Sequence, residues 1–483
     1  MFFDEKYIFF NKNSKLNSES EARLWYIVIA KKQIITRGPR MLILHSLLKE
    51  FKKEFGKSKK GEERGPWFIY TLLAVILPFV SSRTSNLLRA LETLFGFSIK
   101  KKKYYRFMAS PKIPWQGLWI RLWKLIPEPE TNGRLIVALD DFINPKTGKN
   151  IFGCANIFDH AAKQNQSKYP WAQNVVSIGL LKIIKGRWAC LPLNHCYYHL
   201  KKDIKENCPK YNGKNVEFRS KHEQAVDMIC GVAAQFQESN ILLVTDSWFG
   251  NNGMWKPLRK KIDDRAHMIS RLRSNNNLFD EPVIPTKRKQ GRPRKYGNKF
   301  GKTSSLACVY RELAQEYRVN LYGKERTVLA YDRIVMLKSL KCRVRVVWIF
   351  RRTQWVALFS TDLTLSVEEI IKYYGARWKI EAGFKELKQD IGSIETQARN
   401  SVAVTNHLEF CMMATTLTWI YACRLEKTPS RRHAVKGRDH FAFSDVRRLI
   451  AKAAMDDNFA ILCPRPGKSV INSFVTALMR MAA

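Results

Sequence analysis

The feature that most restricts the fold is a pair of short apolar runs, each followed directly by aspartate. Residues 135–139 (LIVAL) precede Asp140 and Asp141, and residues 241–245 (ILLVT) precede Asp246. A continuous apolar run of this length, without polar alternation, is typical of a strand buried on both faces. The sequence therefore predicts two buried strands that each end in an acidic side chain.

Basic residues greatly exceed acidic ones in this chain. The 84 Lys and Arg residues against 42 Asp and Glu give a formal net charge of +42, far more than solubility requires. A polyanionic partner is expected, with nucleic acid as the default. An anionic membrane surface is the alternative, but the long apolar run at 68–80 contains Pro78 and is shorter than the ~20 residues that span a bilayer. The first residues lack the apolar core of a secretory signal, so we expect a cytoplasmic protein and no membrane partner.

The two ends of the chain have helical patterns. Apolar residues recur with helical spacing at 41–55 and 86–97, and a basic run at 100–103 follows. We expect residues 1–133 to be a helical region that binds DNA ends, or an ordinary helical bundle followed by a basic linker. Residues 396–483 are also predicted to be helical.

The middle of the chain is rich in predicted strands. Strands are predicted at 175–184 and 188–193, and a helix is predicted after Asp246. Residues 276–355 have the pattern of an insertion, in which a polar, basic loop precedes three alternating segments: 318–322, 326–335 and 342–350.

A helix near residue 380 is predicted to have one polar face. Ser366 and Glu369 have the spacing of a capping box, which opens the helical stretch. At about 100° per residue, four polar side chains share a face: Tyr374, Arg377, Glu381 and Lys388. An adjacent apolar face can pack on a sheet: Ile380, Phe384, Leu387 and Ile391. An Arg four residues before a Glu is ordinarily a solvated ion pair, and that alternative remains open.

Phosphodiester chemistry gives one reason for all three acids. Two divalent ions ~4 Å apart can activate the attacking oxygen and stabilise the leaving oxygen, and hard oxygen ligands suit Mg²⁺. The protein ligands would be Asp140, Asp246 and Glu381, with phosphate and water completing the coordination. Phosphates beside the ions could be held by the other residues of the polar face: Tyr374, Arg377 and Lys388.

These residues resemble a known family, the DDE transposases of bacterial insertion sequences, in the group marked by a Y-x2-R-x3-E-x6-K signature. Tyr374, Arg377, Glu381 and Lys388 match that spacing, and the resemblance covers roughly residues 130–395. It implies an α/β fold with an RNase H-like mixed sheet, two aspartates on neighbouring strands and Glu381 on a helix packed against the sheet. The implied catalytic core spans residues 134–395 and is interrupted by a β-rich insertion at about 276–355.

The resemblance also implies a function. A protein of this group is a transposase that binds the inverted-repeat ends of its element and performs metal-dependent DNA cleavage and strand transfer, by cut and paste. It would use two Mg²⁺ ions, with Mn²⁺ as a substitute, act on end and target DNA, and self-associate on DNA ends. In a bacterial cell it would be cytoplasmic and nucleoid-associated. The alternatives are a metal-dependent nuclease or resolvase with the same core, and a DNA-binding derivative without catalysis.

The first acid of the constellation is a pair. Because successive side chains of a strand point to opposite faces, only one of Asp140 and Asp141 can face the site. Asp140 is favoured as the metal ligand, and Asp141 is the alternative.

Two further features carry weaker hypotheses. The segment 290–296 (QGRPRKY) resembles a minor-groove hook, in which Arg292, Arg294 and Lys295 would contact DNA, or it is a solvated basic loop. Trp248 and Trp255 are candidates for stacking on an unpaired base, although aromatic residues beside a buried strand usually belong to the core.

Overall fold

The computed structural model describes residues 39–160, 162–282, 294–437, 439–456 and 459–462. The strands are β1 (Arg134–Pro145), β2 (Cys154–Asn156), β3 (Trp171–Ile184), β4 (Arg187–Tyr198), β5 (Lys210–Tyr211), β6 (Lys214–Asn215), β7 (Asn240–Thr245), β8 (Ala266–Arg271), β9 (Asn277–Phe279), β10 (Lys299–Lys302), β11 (Gln315–Leu321), β12 (Lys324–Leu337), β13 (Cys342–Arg351) and β14 (Gln354–Ser360). The helices are α1 (Pro39–Lys52), α2 (Lys59–Ile76), α3 (Thr84–Thr93), α4 (Lys101–Met108), α5 (Trp115–Lys124), α6 (Lys201–Asn207), α7 (Lys221–Ala233), α8 (Asn252–Ile262), α9 (Thr303–Tyr310), α10 (Val367–Ala376), α11 (Trp378–Lys385), α12 (Ser401–Arg424), α13 (Phe443–Ala454) and α14 (Phe459–Leu462), and a π-helical turn (Glu386–Ile391) follows α11.

The centre of the molecule is a mixed sheet with the order β4-β3-β1-β7-β8. The first three strands are antiparallel neighbours, whereas β7 runs parallel to β1 and β8 runs parallel to β7. Helix α7 connects β4 to β7, and α8 connects β7 to β8, as the parallel crossovers require. This is the strand order and direction of an RNase H-like core, and the predicted α/β fold class is confirmed.

Both apolar runs form central strands. Residues 135–139 of β1 and 241–245 of β7 are buried throughout, as expected for strands covered on two faces. The β1 strand does not end at Asp140 and Asp141, however. It continues to Pro145, because β3 pairs with it in antiparallel register beyond the point where β7 stops.

The β-rich segment at 276–355 extends this sheet. β11, β12 and β13 match the three predicted strands, whereas β14 was not predicted. β14 pairs with β8, so the sheet continues through β13 and β12 to β9 and β10. Twelve strands of the described residues share one sheet. Helix α9 interrupts the segment where only loop was expected.

Helices from both ends of the chain pack together. Helix α12 is buried along most of its length and contacts α2, β4 and α13. Polar contacts join the two regions: Trp115 Nε1 donates to Asn406 Oδ1 at 2.7 Å, and Trp119 Nε1 donates to a Glu409 carboxylate oxygen at 2.7 Å. The N-terminal and C-terminal helices thus share one core, while the domain boundaries near 133 and 395 stay a prediction.

The apolar run at 68–80 lies mostly in α2, whose residues from Trp67 onward are buried, as predicted. No helix in the described ranges is long and apolar enough to cross a membrane.

Candidate active site

The sheet register brings Asp140 and Asp246 to the same edge. The last parallel pair between β1 and β7 is Leu139 with Thr245, and an aspartate follows on each strand. Neighbouring strands lie about 4.8 Å apart, so the two carboxyl-bearing residues are adjacent. One oxygen of Asp246 accepts hydrogen bonds from the backbone N–H groups of Trp248 (3.0 Å) and Phe249 (3.1 Å), which fixes the turn after β7.

Asp140 and Asp141 face opposite sides of β1. The Asp140 carboxylate contacts Arg377, whose Nη1 lies 3.0 Å from Oδ2. The Asp141 carboxylate instead accepts from Lys221 Nζ at 2.8 Å and Asn174 Nδ2 at 3.1 Å. The alternation expected of a strand is therefore present, and Asp140 is the member of the pair on the side of Arg377 and Glu381.

Arg377 joins the first acid to the third. Its side chain is only 10% exposed, and Nη2 lies 2.9 Å from Oε1 of Glu381 while Nη1 contacts Asp140. The Arg377–Glu381 contact is the helical i, i+4 ion pair that was the ordinary alternative, but here the same guanidinium also binds a carboxylate 237 residues away. The pair is thus part of a larger cluster at the sheet edge.

The helix that carries these residues is not continuous, contrary to the prediction. Ser366 and Glu369 form the capping box that opens α10, as expected. At Arg377 the backbone tightens, since Arg377 N–H bonds to the Tyr374 carbonyl three residues back. The π-helical turn then widens the spiral before Gly392, where φ is +86°.

The apolar face predicted for this segment is the face that packs on the sheet. Its four members are all buried: Ile380, Phe384, Leu387 and Ile391. The Phe384 ring lies 4.4 Å from the ring of Phe142 on β1. This packing holds α11 beside the strand that carries Asp140.

The other two residues of the polar face also lie near this cluster. The Arg377 guanidinium is 5.8 Å from the centre of the Tyr374 ring. Lys388 Nζ lies 3.5 Å from the carbonyl oxygen of Ile143, two residues past Asp141 on β1. Burial raises the pKa of Tyr374 and lowers the pKa of Lys388, so neither group is fully hydrated.

The electrostatics of Asp140 favour a bound cation. Burial raises the pKa of its carboxyl to about 7, Arg377 opposes the rise, and the charge of nearby Asp246 adds to it. A carboxylate that is desolvated and repelled by a second carboxylate is stabilised when a cation lies between them. Carboxylate oxygens are the ligands that divalent hard cations prefer.

The donor set therefore fits a divalent metal at Asp140 and Asp246. Within the described residues, no group of three or more His, Cys, Asp and Glu side chains is close enough together to hold an ion. Arg377 lies between Asp140 and Glu381 and balances their charge.

The structure describes part of the basic segment at 290–296 and both tryptophans of the weaker hypotheses. Arg292 lies outside the described residues, while Arg294 and Lys295 are exposed and belong to no helix or strand. Trp255 is buried in the core, which leaves Trp248 as the exposed tryptophan of the pair, 44% accessible. The Trp248 ring is stacked on His222 at 4.7 Å.

Two residues near the acids were missed by the sequence analysis. Lys221, at the first turn of α7, binds Asp141 and lies 5.5 Å from the Trp248 ring centre. Asn174 on β3 also binds Asp141, and its buried Oδ1 has no hydrogen-bond partner. No local pattern marks either residue, because both reach Asp141 through tertiary structure. The position of Asn174 on an apolar strand was the one available signal.

The strand order, the crossover helices and the acids at one sheet edge define an RNase H-like α/β protein. The sequence model of the family described as DDE superfamily endonuclease matches residues 71–334, more than half of the chain, and the protein belongs to this family. Membership supports metal-dependent cleavage with DNA as the substrate. The matched region contains Asp140 and Asp246 and ends before Glu381. No curated protein matches the chain.

Proposed function

We propose that this DDE superfamily endonuclease is a transposase that binds the inverted-repeat ends of an insertion sequence and cuts and rejoins DNA. The observation that carries the proposal is the cluster in which Asp140 and Asp246 adjoin across two parallel strands while Arg377 joins Asp140 to Glu381. Arg377 and Glu381 belong to the Y-x2-R-x3-E-x6-K signature, and the two aspartates are those that follow the apolar runs in the sequence.

The proposed metal ligands are Asp140, Asp246 and Glu381, with two Mg²⁺ ions and Mn²⁺ as a substitute. When bound, the ions would activate the attacking oxygen and stabilise the leaving oxygen. Asp246 is held in place by two backbone N–H groups, and the packing of Phe384 on Phe142 holds the Glu381 helix.

Arg377, Tyr374 and Lys388 are proposed to bind the DNA backbone. The planar guanidinium of Arg377 suits bidentate binding of a phosphate, and Lys388 supplies a point charge. Arg377 would exchange its two carboxylate contacts for phosphate contacts when metal ions take over the charge of Asp140 and Glu381. The hydroxyl of Tyr374 adds a neutral donor, because burial keeps its pKa above the usual value.

In the proposed reaction, water and then the freed DNA 3′-hydroxyl act as successive nucleophiles. Pairing two element ends requires self-association on DNA. The segment with Arg294 and Lys295 is proposed to contact the DNA, since both residues are exposed. The protein would work in the bacterial cytoplasm, on the nucleoid.

The test is cleavage and joining of a labelled duplex that carries the terminal repeats flanking this gene. Wild type should give Mg²⁺-dependent joined products, and Glu381→Gln should give none while still binding the duplex. Glu368→Gln, the same chemical change on α10, is the matched control and should join normally. Cleavage without joining in wild type would favour a nuclease, and binding without cleavage would favour a DNA-binding derivative.

A further inference from the structure

An open cleft of about 650 Å³ lies beside α11, and its lining does not include Asp140, Asp246 or Glu381. Its lining comes from α10, α11, the β3–β4 and β11–β12 turns and the loop before α13. Six cations line it: Arg187, Lys324, Lys372, Lys379, Lys385 and Arg431. Helix α11 therefore borders both sites, with Glu381 at the candidate active site and Lys385 in the cleft.

The cations of the cleft differ in how they are held. Arg187 lies over the rings of Trp419 (5.1 Å) and Phe441 (5.4 Å), and Arg431 donates to the backbone carbonyls of His433 and His440. These two arginines are part of the wall. By contrast, the side chains of three lysines form no salt bridge or hydrogen bond within the described part of the chain: Lys324, Lys372 and Lys385.

The acids of the cleft do not cancel this charge. Asp390 lies 3.9 Å from Arg447 Nη1, outside the cleft lining, and burial raises the pKa of Glu386 to about 7. Asp439 is the remaining acidic residue of the lining. Within the described residues, Lys324 and Lys372 thus have no anionic side-chain partner, and Lys385 has only Asp390, which it shares with Arg447 and Arg448.

The distribution of charge favours a phosphodiester backbone over a single small anion. The lysines come from three different elements along an open cleft, which suits phosphates repeated along a strand. Tyr322, 54% exposed at the tip of the β11–β12 turn, adds an aromatic surface beside them. A protein that joins DNA must also hold a second stretch of duplex besides the one at its carboxylates.

We propose that this cleft binds the backbone of a second duplex DNA segment through Lys324, Lys372 and Lys385. The inference rests on the proposed function for its choice of DNA. It assigns the three lysines to a segment of duplex distinct from the one cut at Asp140, Asp246 and Glu381.

The first test is the salt dependence of duplex binding by the full chain, measured without divalent metal so that no cleavage is needed. Each phosphate contact contributes about 0.9 to the slope of log Kobs against log salt, so the combined Lys324→Gln, Lys372→Gln and Lys385→Gln variant should have a slope smaller by about 2 to 3. The matched control replaces three exposed lysines outside the cleft with Gln: Lys256, Lys260 and Lys338. It should change the slope by less than about 1.

Equal changes in the two triple variants, or no change in the cleft variant, would overturn the proposal. The outcome is separate from that of the proposed function, because wild-type cleavage and joining are measured independently. If wild type joins DNA but the triple cleft variant has an unchanged salt slope, the proposed role of the cleft is wrong and the proposed transposase function stands.

A second measurement identifies the occupant. Lysine acetylation followed by mass spectrometry should show Lys324, Lys372 and Lys385 protected by a duplex, with Lys256 and Lys260 unprotected. Protection by tripolyphosphate but not by duplex would assign the cleft to a small anion and would overturn the proposal.

Discussion

Asp140 and Asp141 are identical side chains in opposite surroundings. Asp140 adjoins Asp246 and contacts Arg377, whereas Asp141 is paired with Lys221 on the other face of β1. Their adjacency makes each a control for the other, because the same substitution alters the same strand at neighbouring positions.

We expect Asp140→Asn to abolish metal-dependent nicking of a supercoiled plasmid. The loss should exceed the roughly 10–100-fold effect of removing an outer-shell partner, since a direct ligand is lost. Asp141→Asn should stay within that range, because Asn can still accept from Lys221. The neutral amide avoids the desolvation of a charged carboxylate and the repulsion from Asp246, which together outweigh the lost attraction to Arg377. Asp140→Asn should therefore fold at least as stably as wild type, as checked by urea unfolding. Equal losses in the two variants would reject the choice of Asp140.

At the scale of elements, α11 and the π-helical turn are tied to β1 at both ends. Arg377 joins the N-terminal end to Asp140. At the other end, the carbonyl oxygen of Ser393 accepts from Asn144 Nδ2 at 3.0 Å and Lys146 Nζ at 2.9 Å. The three residues at this end are all less than 10% exposed. These contacts at both ends fix the position of the Glu381 helix relative to β1.

Asn144→Ala should therefore affect both stability and catalysis. The Ser393 hydroxyl donates to Asn144 Oδ1 at 3.2 Å, and removing the amide leaves this buried hydroxyl without its acceptor. We expect a loss of about 1–3 kcal/mol in the free energy of unfolding. The nicking rate at saturating DNA should fall while duplex affinity is kept, since no phosphate contact is removed. Asn298→Ala, at an exposed position, is the control. A lowered duplex affinity with an unchanged nicking rate would show that the contacts of Asn144 do not position Glu381.

The sequence predicted elements that depend on local pattern. The buried run before Asp140, the cap at Ser366 and the apolar face with Phe384 were all correct, because burial and capping leave a mark within a few residues. The break at Arg377 was missed, since a turn tightened by one hydrogen bond keeps the apolar spacing nearly unchanged. The Lys221–Asp141 pair was missed for another reason: in so basic a chain, one more lysine carries no signal.

At the scale of the whole molecule, long-range pairing was the least predictable property. Three strands of the β-rich segment were predicted, but neither β14 nor its pairing with β8, which extends the sheet, was predicted. Likewise, the helices at the two ends were each predicted, but not that α12 packs with α2 in a common core. Neither pairing has a local sequence pattern.

The common core contains a buried histidine that couples stability to pH. His407 of α12 is 1% exposed and bonds to the carbonyl oxygen of Ser82 at 2.9 Å. Burial, together with the charge of nearby Lys146, lowers its pKa to about 3. The folded state keeps His407 neutral, so its contribution is fully present above the unfolded pKa of about 6.5 and is lost progressively as pH falls toward 3.

We therefore expect wild type to lose about 2 kcal/mol relative to His407→Gln between pH 8 and pH 5, because the glutamine does not titrate. The measurement is the free energy of unfolding in urea for both proteins at the two pH values. The difference cancels the other titrating groups of the chain. A constant difference would mean that His407 is protonated in the folded protein or is not buried.

The position of Arg377 links two binding equilibria. This side chain serves as an internal counter-ion for Asp140 and Glu381. If divalent ions displace it, the same event that fills the carboxylates frees a guanidinium for phosphate, so metal and DNA each strengthen the binding of the other. Thermodynamic reciprocity then requires the two enhancements to be equal.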